Sequence, residues 1–124
     1  MSRLLRIAAA QSGPIQKAEP RQAVVARLCT MLGKAADEGA DLVVFTELAL
    51  TTFFPRYYEE DRDEMDLWFE RDMPNAATEP LFRLARERSV GFYLGYGELT
   101  PDGQHFNTSI IVDKSGTLVG KYRK

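Results

Sequence analysis

Cysteine and histidine are almost missing from these 124 residues: Cys29 and His105 are the only ones. A single thiol excludes an internal disulfide and fits a reducing compartment, so the expected location is cytoplasmic. One thiol and one imidazole also leave no cluster of the kind zinc requires, and no metal is expected. Excess charge is lacking too. A formal net charge of −2 gives no electrostatic basis for nucleic acid or an anionic membrane as partner. The basic group Lys121, Arg123 and Lys124 is too short to change that. No apolar run approaches membrane-spanning length, and the stretch after Arg3 is broken by Arg6 and Gln11, which makes a poor signal peptide. No Gly-x-Ser-x-Gly elbow occurs, so a serine-hydrolase triad has no support.

What is present is the composition of a folded domain. Hydrophobic residues make up 44% and charged residues 27% of the chain, which excludes disordered and fibrous classes. A chain of this length buries roughly two-thirds of its unfolded surface. Residues 7–11 read as a short buried strand ended by Gly13-Pro14. Pro20 suits the first turn of a helix, where its missing N–H is not needed. Val24, Leu28, Met31, Leu32 and Ala35 then recur at helical spacing, and Gly39 is the C-terminal stop. Residues 42–45 form a continuous apolar run, as in a strand covered on both faces. Strand, helix and strand in quick succession predict a right-handed βαβ unit with parallel strands.

The next part alternates breakers with apolar groups. Phe53-Phe54-Pro55 is expected to be extended, because Pro55 biases Phe54 away from helix. The acidic stretch 59–70 is expected to be a helix with one buried side. Thr78 is placed to cap a helix over 79–88, with Leu81, Leu84 and Ala85 as its packed stripe. Three strands follow, over 92–99, 106–113 and 117–122. Their links, Thr100-Pro101-Asp102-Gly103 and Asp113-Lys114-Ser115-Gly116, are turn sequences too short for crossovers, so these strands run antiparallel. The fold class that follows is α+β, a mixed sheet with helices packed on it.

Glu47 is the first residue with chemical interest. It follows the apolar run directly, and crevices at such strand ends are where open α/β sheets bind ligands. Burial there raises a carboxyl pKa, a nearby lysine pulls it back, and a partly desolvated carboxylate is a usable general base. It reads equally as a surface glutamate at a strand-to-loop junction. Lys124 reads as a solvated charge in a basic stretch, and spacing alone does not connect it to Glu47. Cys29 lies mid-helix with no histidine to activate it, and reads as a small packing residue. His105 is expected in a solvent-facing loop. Gly95 and Gly97 imitate half of a dinucleotide fingerprint, but the third glycine and the following helix are absent.

Several blocks occur together in order: Ala9-Ala10-Gln11-Ser12-Gly13-Pro14, Val44-Phe45-Thr46-Glu47-Leu48-Ala49-Leu50-Thr51-Thr52-Phe53-Phe54-Pro55-Arg56, Gly95-Tyr96-Gly97-Glu98-Leu99, Phe106-Asn107-Thr108-Ser109-Ile110-Ile111-Val112-Asp113, and residues 116–124. On these blocks the chain resembles the nitrilase superfamily, the carbon–nitrogen hydrolases, along nearly all its length. Through the block from Val44 to Arg56 it is most similar to the N-carbamoyl-D-amino acid hydrolases. The resemblance implies a partial nitrilase-like αββα sandwich, with residues 1–124 as the N-terminal part of a single domain. It also implies a Glu-Lys-Cys triad in which Glu47 is the base and Lys124 the cation, the cysteine lying beyond position 124. Cys29 does not match that cysteine. Thr46 departs from the family, which usually has proline before the base and so a fixed φ at that position.

The implied reaction is hydrolysis of a small carbamoyl or amide compound, N-carbamoyl-D-amino acid to D-amino acid, CO2 and ammonia, with no cofactor. The implied complete protein is a homo-oligomer, and residues 1–124 alone are expected to be inactive. The same resemblance admits an aliphatic amidase, a nitrilase or a ureidopropionase-like enzyme. A non-catalytic interaction module is the rival from another class. A single sheet is expected to leave an apolar face and strand edges uncovered.

Overall fold

The computed structural model describes residues 2–124. Its elements are strand β1 (Ile7–Ala10), helix α1 (Arg21–Asp37), strand β2 (Leu42–Phe45), a 3-10 turn (Phe54–Arg56), helices α2 (Arg62–Asp66) and α3 (Glu79–Arg88), and strands β3 (Gly91–Leu99), β4 (His105–Val112) and β5 (Leu118–Arg123). The five strands form one mixed sheet in sequential order, β1 to β5. β1 pairs parallel with β2 and β2 with β3; β4 and β5 then add antiparallel. The α+β class is therefore observed, with α1 and α3 packed against each other on one face of the sheet.

α1 starts immediately after Pro20, whose extended backbone (φ −72°, ψ 152°) makes it the cap residue rather than part of the first turn. It ends where Gly39 takes φ +82°: the Gly39 N–H donates to Ala36 O at 3.0 Å and the Ala40 N–H to Ala35 O at 3.0 Å. That pair of bonds is a Schellman ending, and it requires the left-handed conformation that glycine adopts freely. The helix then turns its apolar stripe, Val25, Leu28 and Leu32, onto Val43, Phe45, Phe92, Leu94, Ile110 and Val112 of the sheet. Leu81, Phe82 and Ala85 of α3 complete this core. Each large side chain so enclosed contributes roughly 1.5–3 kcal/mol relative to exposure.

Four expectations are corrected. The acidic stretch 59–70 is helical only over Arg62–Asp66, where the Asp61 carboxylate accepts from the Asp63 N–H at 2.9 Å. After α2, Leu67 is exposed and Glu70 instead makes a bridge to Glu98 of β3. Phe54 is not extended: the 3-10 turn begins at it, with Pro55 in the first positions, where no N–H is needed. Thr78 does not cap α3 with its side chain. Asn75 instead orders the turn that precedes the helix, its Oδ1 accepting from the Ala77 and Thr78 N–H groups at 3.0 Å each. His105 is the first residue of β4 rather than a loop residue, and its Nε2 lies 2.6 Å from Asp66 Oδ1.

The strand β2 is also less enclosed than its unbroken apolar run implies. Val43 and Phe45 are buried under the helices, whereas Leu42 and Val44 face the other side and are half-covered. On that outer face Ile7, Ile111 and Tyr122 are exposed. The expectation of an uncovered apolar face thus matches the described residues. Among them, no helix is long and apolar enough to cross a membrane.

Candidate active site

Glu47 lies two residues past β2, in a turn whose shape is set by its neighbours. Leu48 takes a left-handed backbone (φ +48°), uncommon for a residue with a side chain, and is buried. The turn is held down by the Ala49 N–H, which donates to Gly95 O of β3 at 2.8 Å. Gly95 is needed for this approach. A Cβ there would stand 3.1 Å from Glu47 Cα and 3.2 Å from Leu48 N. The glycine that looked like half a nucleotide motif is a platform on which the glutamate-bearing turn rests.

Lys124 follows β5 directly. Its N–H donates to Asn107 O at 2.9 Å, extending the ladder with β4 by one residue. Because strand side chains alternate, Lys124 faces the outer side of the sheet, as Tyr122 does, while Arg123 faces the helices. From that position Lys124 Nζ donates to Glu47 Oε1 at 3.3 Å, across 77 residues of chain. Asn107 Nδ2 donates to the same oxygen at 2.6 Å. Asn107 therefore touches both partners, the carboxylate through its side chain and the lysine through its main chain.

These groups surround a hollow of about 250 Å³ whose walls include Tyr93, Gly95, Ser109 and Tyr122. Glu47 is half-exposed, at 53% of its side chain, and Lys124 is 70% exposed. The sequence led to the expectation that burial raises the Glu47 pKa and a nearby lysine pulls it back. The carboxyl is instead held below the usual range, chiefly by the Asn107 hydrogen bond and then by Lys124, with only a small opposing effect of burial. Oε2 has no hydrogen-bond partner among the described residues, so one oxygen is anchored and the other is open to a proton donor. An ionised carboxylate beside an ammonium is suited to taking a proton and to stabilising a developing oxyanion.

Cys29 is not part of this arrangement. It sits in α1 on the helix side of the sheet, packed at the core margin, and burial raises its thiol pKa. A nucleophilic thiol needs the opposite shift. A larger hollow of about 600 Å³ near Arg21, Asp66, Glu70 and Arg71 is shallow, and both of its cations are paired, Arg21 with Glu70 and Arg71 with Asp66. Among the described residues no three His, Cys, Asp or Glu side chains converge as a metal site would require.

Sequence reasoning gave Asn107 no role, although a signal was available. Asparagine is depleted from strands, and here it interrupts the run from Phe106 to Val112. Glu98 was overlooked in the same way. Its buried carboxylate accepts from Lys121 Nζ at 2.6 Å, Thr108 Oγ1 at 2.7 Å and Arg123 Nη2 at 2.7 Å. The Arg123 bonds above all, with Lys121 and Thr108, bring its pKa down to about 2.

Comparison with known proteins gives a consistent result. A family model described as Carbon-nitrogen hydrolase matches residues 6–124. Omega-amidase NIT2 of Homo sapiens is 29% identical over 102 residues, covering 81% of this chain and 33% of the relative. Omega-amidase NIT2-A of Xenopus laevis is 32% identical over 104 residues, covering 79% and 33%. The chain thus spans about a third of the length of these curated relatives. Among solved structures, an N-terminal amidase superposes with a TM-score of 0.75 at 20% identity, over 97% of this chain and 28% of that one. A carbon-nitrogen hydrolase from Helicobacter pylori G27 superposes with a TM-score of 0.73 at 21% identity, over 97% and 39%. These two likenesses establish the fold.

Proposed function

We propose, since this chain belongs to the carbon–nitrogen hydrolase family, that it supplies the general base and the oxyanion-binding cation of an amidase. The observation that carries the proposal is the meeting of Glu47 and Lys124 on one oxygen at the sheet end. Residues 1–124 are, on this reading, the N-terminal part of one domain. The exposed apolar outer face supports a further layer of chain packed there, and the nucleophile belongs to that remainder. The free thiol fits a cytosolic setting, and the complete protein is a homo-oligomer by resemblance.

The steps follow from the residues. Glu47 takes the proton of the incoming thiol, whose sulfur attacks the amide carbon. Negative charge gathers on the carbonyl oxygen, and Lys124 stabilises it. The carbon–nitrogen bond breaks as the proton passes to nitrogen, and ammonia leaves. Water, deprotonated by Glu47, then opens the acyl-enzyme to a carboxylic acid and the thiol takes back its proton. With a carbamoyl substrate the same sequence releases ammonia and a carbamic acid, whose remaining carbon–nitrogen bond breaks by spontaneous decarboxylation to give the amine and CO2.

The amide reading is preferred to N-carbamoyl-D-amino acids because the matched relatives are named as amidases, whereas the carbamoyl reading rests on the block from Val44 to Arg56. The test is a substrate panel on the full-length protein: simple amides, N-carbamoyl-D- and L-amino acids, and nitriles. Amide turnover is expected, with Glu47→Gln lowering kcat by about a thousandfold or more. Turnover of carbamoyl compounds alone would restore the carbamoylase reading. Near-normal turnover by Glu47→Gln would remove that residue from the mechanism.

A further inference from the structure

Directly beside the Glu47 hollow, on the far side of Asn107, lies a second and different pocket. It measures about 160 Å³, and its walls are Leu48, Phe54, Phe69 and Phe106, with His105 and Asn107 at the rim. Asn107 lines both hollows, and Leu48 is the residue next to Glu47, so the two spaces are contiguous across one side chain.

The aromatic walls are braced from behind. The Phe54 ring lies 5.0 Å from Phe69 and is stacked on Trp68 at 6.1 Å. Phe69 meets the His105 ring edge-on at 4.5 Å. Phe106 carries the Arg123 guanidinium at 5.2 Å. Of the polar residues that line it, His105 bonds Asp66 through Nε2 and Asn107 bonds Glu47 through Nδ2. No carboxylate, ammonium or guanidinium lines this pocket, so it provides no fixed opposite charge for an ionised group. Its volume is close to that of an enclosed apolar cavity of about 150 Å³ known to accept benzene, and here the hollow opens to solvent on one side.

We infer that this pocket holds a phenyl-sized apolar substituent of the substrate whose carbon–nitrogen group lies against Glu47 and Lys124. The inference rests on the amidase reading of that pair and adds to it a substrate class: amides of apolar, aryl-bearing acids in preference to short or charged ones. Leu48 is then a specificity residue. Its left-handed backbone turns Glu47 toward one hollow while its own side chain floors the other.

Two measurements test this on the full-length protein. The first compares kcat/KM for phenylacetamide and acetamide. Phenylacetamide is expected to be favoured by at least about tenfold, from the apolar area it buries, and Leu48→Trp, which fills the pocket, is expected to bring the ratio toward one. Equal kcat/KM for the two amides would overturn the inference while leaving the amidase reading intact. The second uses the Glu47→Gln protein, in which binding is observed without turnover. Nuclear Overhauser contacts from the phenylacetamide ring to Leu48 and Phe54 protons are expected, and ring contacts confined to other residues would overturn the inference. If neither amide is turned over, the amidase reading fails, and the ring contacts alone then decide whether the pocket binds aryl groups.

Discussion

Two glutamates in this molecule draw their partners from neighbouring positions on the same two strands and have opposite characters. Glu98 is 7% exposed at its side chain, with both oxygens bonded, to Lys121, Arg123 and Thr108. Glu47 is 53% exposed, with one oxygen bonded to Lys124 and Asn107. Their partners are adjacent in sequence. Asn107 and Lys124 serve Glu47, while Thr108 and Arg123 serve Glu98. Alternation along β4 and β5 sends each successive residue to the opposite face of the sheet, so the same two strands build an ion cluster around a buried carboxylate on the helix side and one around an open carboxylate on the outer side. The first cluster ties the edge strand β5 to β3 and β4, and so fixes the chain from which Lys124 extends.

This contrast breaks most visibly at Glu98. Replacing it with glutamine leaves Arg123 and Lys121 without their carboxylate, and a loss of about 2 kcal/mol in denaturant unfolding is expected, below the cost of a fully buried pair because both cations are half-exposed. The equivalent Glu47→Gln change is expected to cost under about 0.5 kcal/mol, as for surface pairs. Equal losses at the two positions would abolish the distinction. The pH dependence sharpens it. Glu98 has a folded pKa of about 2, below its unfolded value, so its contribution is fully present above that unfolded value and is lost as pH falls toward about 2. The stability gap between wild type and Glu98→Gln is therefore expected to be constant from pH 7 to pH 5 and to shrink between pH 4 and pH 2.

A smaller effect is expected at Gly95. A methyl group there meets the backbone of Glu47, Leu48 and Thr46, at 3.1, 3.2 and 3.3 Å, so Gly95→Ala should cost about 1 kcal/mol by overpacking. It should also displace the Glu47 carboxyl resonance. Gly120→Ala is the control, because its added carbon meets nothing closer than Ile111 Cβ at 4.0 Å. The smallest effect is that of Asn107→Ala, which removes the main hydrogen bond to Glu47. The Glu47 titration midpoint, followed by carboxyl carbon NMR, is expected to rise toward the ordinary glutamate value. An unchanged midpoint would show that Lys124 alone sets it.

The periodic parts of the fold were the legible ones. α1, α3 and the three later strands follow from apolar spacing and turn residues, because those signals act over a few neighbouring residues. Residues 53–70 were misread for the complementary reason. The acidic run there has helical composition, but its later part is drawn off by a bridge between Glu70 and Glu98 and by the salt bridge from Arg21, contacts that span dozens of residues. Asn107 and Glu98 were missed because their function lies in what they face across the sheet: an asparagine inside a strand marks a residue out but does not say which partner it meets. Glu47 stood out by its place at the end of an apolar run and Lys124 only by resemblance, and their contact is a fact of the folded chain.

By itself the sequence determined the element types outside residues 53–70, the mixed order of parallel and antiparallel pairing, and the base at position 47, since these depend on side-chain periodicity and on functional groups written directly in the chain. Only the tertiary structure decided which face each group serves. Neighbouring residues such as Arg123 and Lys124 carry the same charge, and what separates a structural clamp from a reactive pair is the side of the sheet to which the register of β4 and β5 turns them.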